Sequence, residues 1–270
     1  MKLRFHKYHG TGNDFILMDN REGNIQLSEE KIAGLCNRHL GIGADGLICL
    51  NSADGFDFGM VYYNADGKES TLCGNGGRCI VAFAHSLGLI ENRATFTAID
   101  GKHEAEILSQ SGTEVQIKIK MSDIPKSGIR HLASGIHIDT GSPHLVMFVD
   151  DISAVDVVAK GRKIHDDKQF APDGTNVDFV QMNEYHLFVR TYERGVADET
   201  LSCGTGVTAA ALAYASWQPA DRSPQSPFSS YNIQTLGGNL TVSFYQHEGT
   251  FTDIWLEGPA EFVFAGEIDR

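Results

Sequence analysis

Residues 57–84 read DFGMVYYNADGKESTLCGNGGRCIVAFA, and residues 186–215 read HLFVRTYERGVADETLSCGTGVTAAALAYA. Each begins as a run of β-branched and aromatic residues, passes through a polar turn, and reaches Cys-Gly-x-Gly at the head of an apolar helix. Thr71-Leu72 precedes Cys73, and Thr200-Leu201-Ser202 precedes Cys203. A fainter echo pairs HGTGNDFI at 9–16 with DTGSPHLV at 139–146. One Cys-Gly-x-Gly in each half implies duplication of a single structural unit.

Outward from these stretches, strand-like segments recur: LRFHKYHG, RATFTAI, EVQIKIKM, HLVMFV, NVDFVQM, NLTVSFYQ, FTDIWLEG and AEFVFAGEI. Helical signals are fewer, at 28–38 behind Ser28, at 75–87, at 152–160 and at 206–217. Many short strands with few helices point to an α+β fold, not a βαβ-wound parallel sheet. Pro125 and the SGIRHLASG stretch supply turn residues at a division between 1–124, which carries Cys73, and 125–259, which carries Cys203. The segment SWQPADRSPQSPFSS, 216–230, reads as an exposed loop.

The 270 residues suffice for about two domains with a real core. A formal net charge of −13 disfavours nucleic acid and anionic membrane surfaces as partners. No segment has the length of a signal peptide's apolar core or a membrane span, and the chain reads as cytoplasmic. Five scattered cysteines do not form a disulfide framework. Cys36, Cys49 and Cys79 sit in apolar contexts and read as packing residues.

Cys73 and Cys203 differ from those three. A helix N-terminus carries unpaired N–H groups and the positive end of the macrodipole, so it binds carboxylates and favours a thiolate. Gly74 with Gly76, and Gly204 with Gly206, let a ligand approach the amides of Asn75 and Thr205 closely. Two such sulfurs facing one carbon would invert it through a planar carbanion, one thiolate removing a proton and the opposite thiol returning one. The spacing does not suit zinc, which wants close Cys/His pairs. A redox disulfide between the two sulfurs is the competing reading.

At these residues the chain resembles the diaminopimelate epimerase family. The matches are HGTGNDFI (9–16), RHLGIGADGL (38–47), YNADG and LCGNGGRC (within 63–79), GTNVDFV (174–180), YERGVADETLSCGTG (192–206) and GPAEFVFAGEI (258–268). The resemblance implies two pseudo-symmetric domains, each a β-barrel-like sheet around a central helix, with the active site between them and strand 260–270 returning to the first domain. It implies cofactor-independent, metal-free epimerisation of LL- to meso-2,6-diaminopimelate, in lysine and peptidoglycan precursor synthesis, by a homodimer. Carried over residue by residue, it makes Cys73 and Cys203 the acid–base pair. Asn13, Asn64, Asn176, Glu193 and Arg194 become substrate-binding residues, and main-chain groups around Gly74, Asn75, Gly204 and Thr205 hold the reacting end. His144 matches a histidine that assists proton traffic.

Two departures stand out. Ser142 replaces the asparagine common before Pro-His, and Ala197-Asp198 stands where glycine is usual. The alternatives are a proline or hydroxyproline racemase of the same fold, which would have no use for Arg194, and a non-catalytic binder, which would not need both sulfurs.

Overall fold

The structure, a computed structural model of the chain, describes residues 2–183, 186–217 and 226–269. They divide into two units, Met1–Ile119 with Gly258–Arg270, and Lys120–Glu257.

In the first unit, β1 (Lys2–Gly10) and β2 (Asn13–Asp19) form a hairpin. Its two-residue turn, Thr11-Gly12, has φ of 50° and 84°. Those left-handed values belong to the turns that match strand twist, and they explain the glycine. α1 (Glu29–Cys36) starts where Ser28 Oγ accepts from the Lys31 N–H at 3.3 Å. Then come β3 (Gly46–Asn51), β4 (Phe58–Asn64), the short arm β5 (Glu69–Ser70), α2 (Gly74–Ser86), β6 (Arg93–Ala98), β7 (Gly101–Ser111) and β8 (Glu114–Lys120). Hydrogen bonding runs β1-β2-β3-β4-β6-β7-β8. Residues 258–269 then pair with β8 and β1 and close the ring. β2–β3 and β4–β6 are parallel, the other neighbours antiparallel.

α2 runs inside this barrel. Residues Gly74–Ala84 are all buried, and Ile80, Val81 and Phe83 pack on Phe15, Leu17, Ile48, Phe58 and Phe96. A helix surrounded by sheet must be apolar on every side. α1 covers the outer face, setting Ile32 and Leu35 against Ile16, Met18 and Leu47.

The second unit repeats the plan with β9 (Ile129–Leu132), β10 (Gly135–Asp139), β11 (Pro143–Phe148), α3 (Val157–His165), β12 (Asn176–Met182), β13 (Leu187–Glu193), β14 (Asp198–Thr200), α4 (Gly204–Trp217), β15 (Phe228–Thr235), β16 (Gly238–His247) and β17 (Thr250–Asp269). Pairing runs β9-β10-β11-β12-β13-β15-β16-β17, with β11–β12 and β13–β15 parallel. Residues 121–124 bond back to β17 through the Met121 N–H to Ile254 O (2.8 Å) and the Ile124–Phe251 bridge. Inside lies α4, its Val207 and Ala209–Ala213 wholly buried against Ile138, Val146, Val189, Val242 and Leu256.

The α+β expectation, a barrel-like sheet wrapped on a central helix in each half, holds. The helix expected at 152–160 is displaced: a single 3-10 turn occupies Ile152–Ala154, and α3 begins after Asp156, whose carboxylate accepts from the Ala159 N–H at 3.0 Å. Of the segment expected as a loop at 216–230, residues 218–225 lie outside the described residues, and Phe228 already opens β15.

Candidate active site

In the first unit Cys73 is the residue before α2, with extended backbone and no side-chain cap. Its Sγ lies 3.5 Å from Asn13 Oδ1, which also accepts from Asn75 Nδ2 at 3.2 Å. Asn13 cannot turn over, because its Nδ2 donates to Asp45 Oδ2 at 2.7 Å and a carboxylate only accepts. Cys73 therefore faces an acceptor for its S–H. Asp45 is held by Arg38 at 2.6 Å, and Arg38 also binds Asp14 at 2.7 Å. Lys7 completes the group, 2.7 Å from Asp14 and bonded to the Gly43 carbonyl. Burial alone would raise the Asp14 carboxyl, but the Arg38 hydrogen bonds and Lys7 outweigh it and hold the pKa at about 2.

Asn75 is spent internally. Its Oδ1 accepts from Arg78 at 2.8 Å and from the Thr11 hydroxyl at 3.3 Å. Arg78 is fully buried and also donates to the carbonyls of Gly74 and Pro259. All its acceptors are neutral, and burial pushes its pKa down. Gly74 is buried as the first residue of α2. Asn64 is exposed at the end of β4, where its backbone closes the turn to Lys68.

In the second unit Cys203 precedes α4 and is 7% exposed. Its Sγ is 3.4 Å from Thr205 Oγ1, which is 2.9 Å from His144 Nε2. The other ring nitrogen of His144 meets Asp178 Oδ2 at 2.7 Å, and Thr191 donates to Asp178 Oδ1 at 2.7 Å. The parallel register His144↔Asn176 sets these two strands side by side. Asn176 then reaches Ser142 Oγ at 2.8 Å and the Pro143 carbonyl at 3.0 Å, while its Oδ1 accepts from the Arg194 N–H at 2.8 Å. Ser142 thus acts on Asn176. Gly204 is buried and its carbonyl accepts from Thr208. The Arg194 guanidinium rests on the Asp173 carbonyl at 3.5 Å and makes no ion pair among the described residues. Burial first, then the charges of Glu193 and Asp178, push the Cys203 thiol well up, against smaller opposite effects of Thr205 and the Gly206 amide.

The hairpin turn at Glu193–Ala197 explains one departure in the sequence. Ala197 has φ of 58°, where glycine is favoured, and its N–H donates to Glu193 O at 2.8 Å. Cys36 and Cys49 are buried thiols pushed up to about 11 and about 12, and Cys79 is raised further, all by desolvation. Such thiols stay protonated and inert. Among the described residues, no three His, Cys, Asp or Glu side chains are grouped to hold a metal, and no helix is long and apolar enough to cross a membrane.

Asp45, Arg78, Asp178 and Thr191, which hydrogen-bond into these clusters, were not singled out from sequence. Asp178 had a signal available: an acid at the centre of the apolar run NVDFV needs a buried partner.

Comparison with known proteins gives a consistent result. A family model described as Diaminopimelate epimerase matches residues 5–123 and 136–263. A diaminopimelate epimerase of Flavobacterium psychrophilum is 46% identical over 271 residues, spanning 98% of this chain and 100% of the relative. One of Chlorobaculum tepidum is 40% identical, spanning 96% and 98%. Among solved structures, a PhzF-family phenazine biosynthesis protein of Bacillus anthracis superposes with a TM-score of 0.75 at 16% identity over 100% of both chains. A probable proline racemase of Agrobacterium radiobacter gives 0.68 at 14%, covering 99% of this chain and 93% of that one. At such identities these two share the fold alone.

Proposed function

The chain belongs to the diaminopimelate epimerase family, and from that premise we propose that Cys73 and Cys203 are the acid–base pair through which this isomerase interconverts LL- and meso-2,6-diaminopimelate for lysine biosynthesis. One observation carries the assignment of the pair: each unit places a cysteine at the N-terminus of its inner helix, within hydrogen-bond reach of a fixed polar side chain.

The reaction breaks the α-C–H bond, and its electron pair passes into the substrate carboxylate as a planar carbanion. One sulfur takes that proton as S–H, and the other gives its own proton to the opposite face. Helix-start amides around Gly74, Asn75, Gly204 and Thr205 stabilise the charge building on the carboxylate. Cys203 rests as a thiol, because burial and the nearby acids keep it protonated. It serves as the acid when Cys73 serves as the base. An arriving substrate ammonium competes for Asn13 Oδ1, the acceptor that otherwise holds the Cys73 S–H, and Cys73 gives that proton to solvent to become the thiolate that acts as base. Arg194, which has no carboxylate partner among the described residues, takes the distal carboxylate, with Glu193 toward the distal ammonium. Asn64 and Asn176 complete binding, Asn176 oriented by Ser142, and His144 assists proton traffic. The enzyme works as a cytoplasmic homodimer, a setting in which its five free cysteines stay reduced.

The test is incubation of the reduced protein in deuterium oxide with LL-diaminopimelate or L-proline, following α-proton signals by NMR. Loss of signal from diaminopimelate alone is expected. Exchange into proline and not diaminopimelate overturns the substrate assignment, and exchange into neither favours a binding protein.

A further inference from the structure

Beside Cys203 lies a chain of side chains whose donors and acceptors can be assigned one by one. The Arg194 N–H donates to Asn176 Oδ1, so the Asn176 amide nitrogen points away from it, toward Ser142, Pro143 and His144 Nε2 at 3.4 Å. The two amide N–H bonds serve Ser142 and Pro143, so the 3.4 Å contact to Nε2 is at most a shared hydrogen. A proton on Nε2 would there face a group that only donates, so Nε2 carries a lone pair. The imidazole is then neutral with its proton on Nδ1, donated to Asp178 Oδ2. Thr205 donates its hydroxyl to the bare Nε2, which leaves Thr205 Oγ1 to accept the Cys203 S–H.

Asp178 anchors the far end. It is fully buried, accepts from Thr191, and lies against the first turn of α4, where a Cβ on Gly206 would sit 2.5 Å from its Oδ1. Two donated hydrogen bonds and the positive end of the helix compensate its charge.

We propose that Asp178 is a positioning residue which, by fixing the tautomer of His144, makes the Thr205 hydroxyl a two-position switch for Cys203. While Cys203 is a thiol, Thr205 donates to His144 and accepts from S–H. Once Cys203 gives its proton to the substrate carbon, the S–H bond breaks, a C–H bond forms, and sulfur keeps the electron pair. The Thr205 hydroxyl then rotates to donate to the thiolate, and Nε2 keeps only the shared Asn176 N–H at 3.4 Å. No bond to His144 or Asp178 is made or broken, so one rotation suits Cys203 to act as acid in one direction and base in the other. The charged and titratable groups facing this chain are Glu193 and Asp178 toward Cys203, and His137 toward His144, with Arg130 bonded to His137.

This inference rests on Cys203 being an acid–base residue, and the two tests that decide it, the imidazole spectrum and the alkylation profile, are read without turnover of diaminopimelate. In full-length protein labelled with 15N-histidine, and assigned with His144→Gln, His144 is expected with Nδ1 protonated and Nε2 bare at neutral pH. Asp178→Asn, which presents an amide nitrogen to Nδ1, is expected to move the proton to Nε2. In a Cys73→Ser background, alkylation of Cys203 by iodoacetamide is followed across pH by mass spectrometry. Thr205→Val is expected to shift that profile up by about one pH unit, an approximately tenfold slower reaction at fixed pH, while Thr205→Ser keeps the native profile. In the native background Asp178→Asn lowers kcat by about 100-fold or more with KM little changed, as expected when an imidazole is held in the wrong tautomer. A proton on Nε2 in the native protein, or identical alkylation profiles for the two Thr205 variants, overturns the proposal. If Asp178→Asn does not fold, the native spectrum and the Thr205 pair still decide it.

Discussion

Replacing Asp14 by Asn tests how the first unit holds Asn13 in place. Asp14 receives Lys7 at 2.7 Å and Arg38 at 2.7 Å, with side chains 7%, 18% and 55% exposed for Lys7, Asp14 and Arg38. Against burial, the two cationic partners, Arg38 and Lys7, lower its pKa from 3.8 to about 2. At about 1.4 kcal/mol per pH unit, the ionised form contributes on the order of 2 kcal/mol to stability at pH 7. The folded pKa is the depressed one, so this contribution is complete above pH ~5, about half gone near pH 3, and absent below pH ~2. Asn matches the protonated carboxyl in shape, so the stability difference between native protein and Asp14→Asn follows the same curve. Urea unfolding followed by circular dichroism should therefore show a loss on the order of 2 kcal/mol at pH 7 and pH 5, and about half of that at pH 3. An equal loss at pH 7 and pH 3 would refute the electrostatic account. Because Arg38 also holds Asp45, which fixes Asn13, KM should rise alongside.

Ala197→Gly should raise stability by about 0.5–1 kcal/mol in the same urea assay, because relief of left-handed strain exceeds the entropy added to the unfolded chain. Gly206→Ala forces a methyl to 2.5 Å from Asp178; it should destabilise by about 1–3 kcal/mol and reduce kcat more than a neutral helix-surface substitution. Thiol labelling at pH 8 with peptide mapping should find Cys73 reacting first and Cys36, Cys49 and Cys79 silent until unfolding. A pKa of about 11 leaves Cys36 about one part in a thousand thiolate at that pH.

The repeated Cys-Gly-x-Gly was legible because a cysteine at a helix start, with its amides bare to a ligand, requires glycine, and that requirement recurs in both halves. Strands with one wet face, such as β8 with its alternating Val115, Ile117 and Ile119, were legible by period. β2 and β3 were not: α1 covers one face and α2 the other, so Phe15–Met18 and Gly46–Leu50 are continuously buried and lose the alternation. α3 was misplaced because the apolar pattern ran through Asp156, where the cap overrides it. The polar chain behind Cys203 was hidden for a different reason. Asp178, Thr191 and Thr205 are joined by strand register and the start of α4, not by closeness in sequence, and no local pattern reports such meetings.

The most direct test of the two-sulfur account is the early time course in deuterium oxide. Reduced protein is given LL-diaminopimelate, and the deuterium content of remaining substrate and of meso product is measured before equilibrium, for the native chain, Cys73→Ala and Cys203→Ala. With separate sulfurs on the two faces, the meso product should carry one solvent deuteron while unreacted LL substrate keeps its proton, and each variant should lose epimerisation while keeping its native circular dichroism spectrum. Deuterium appearing equally in recovered substrate and product, or near-native turnover by either variant, would contradict it.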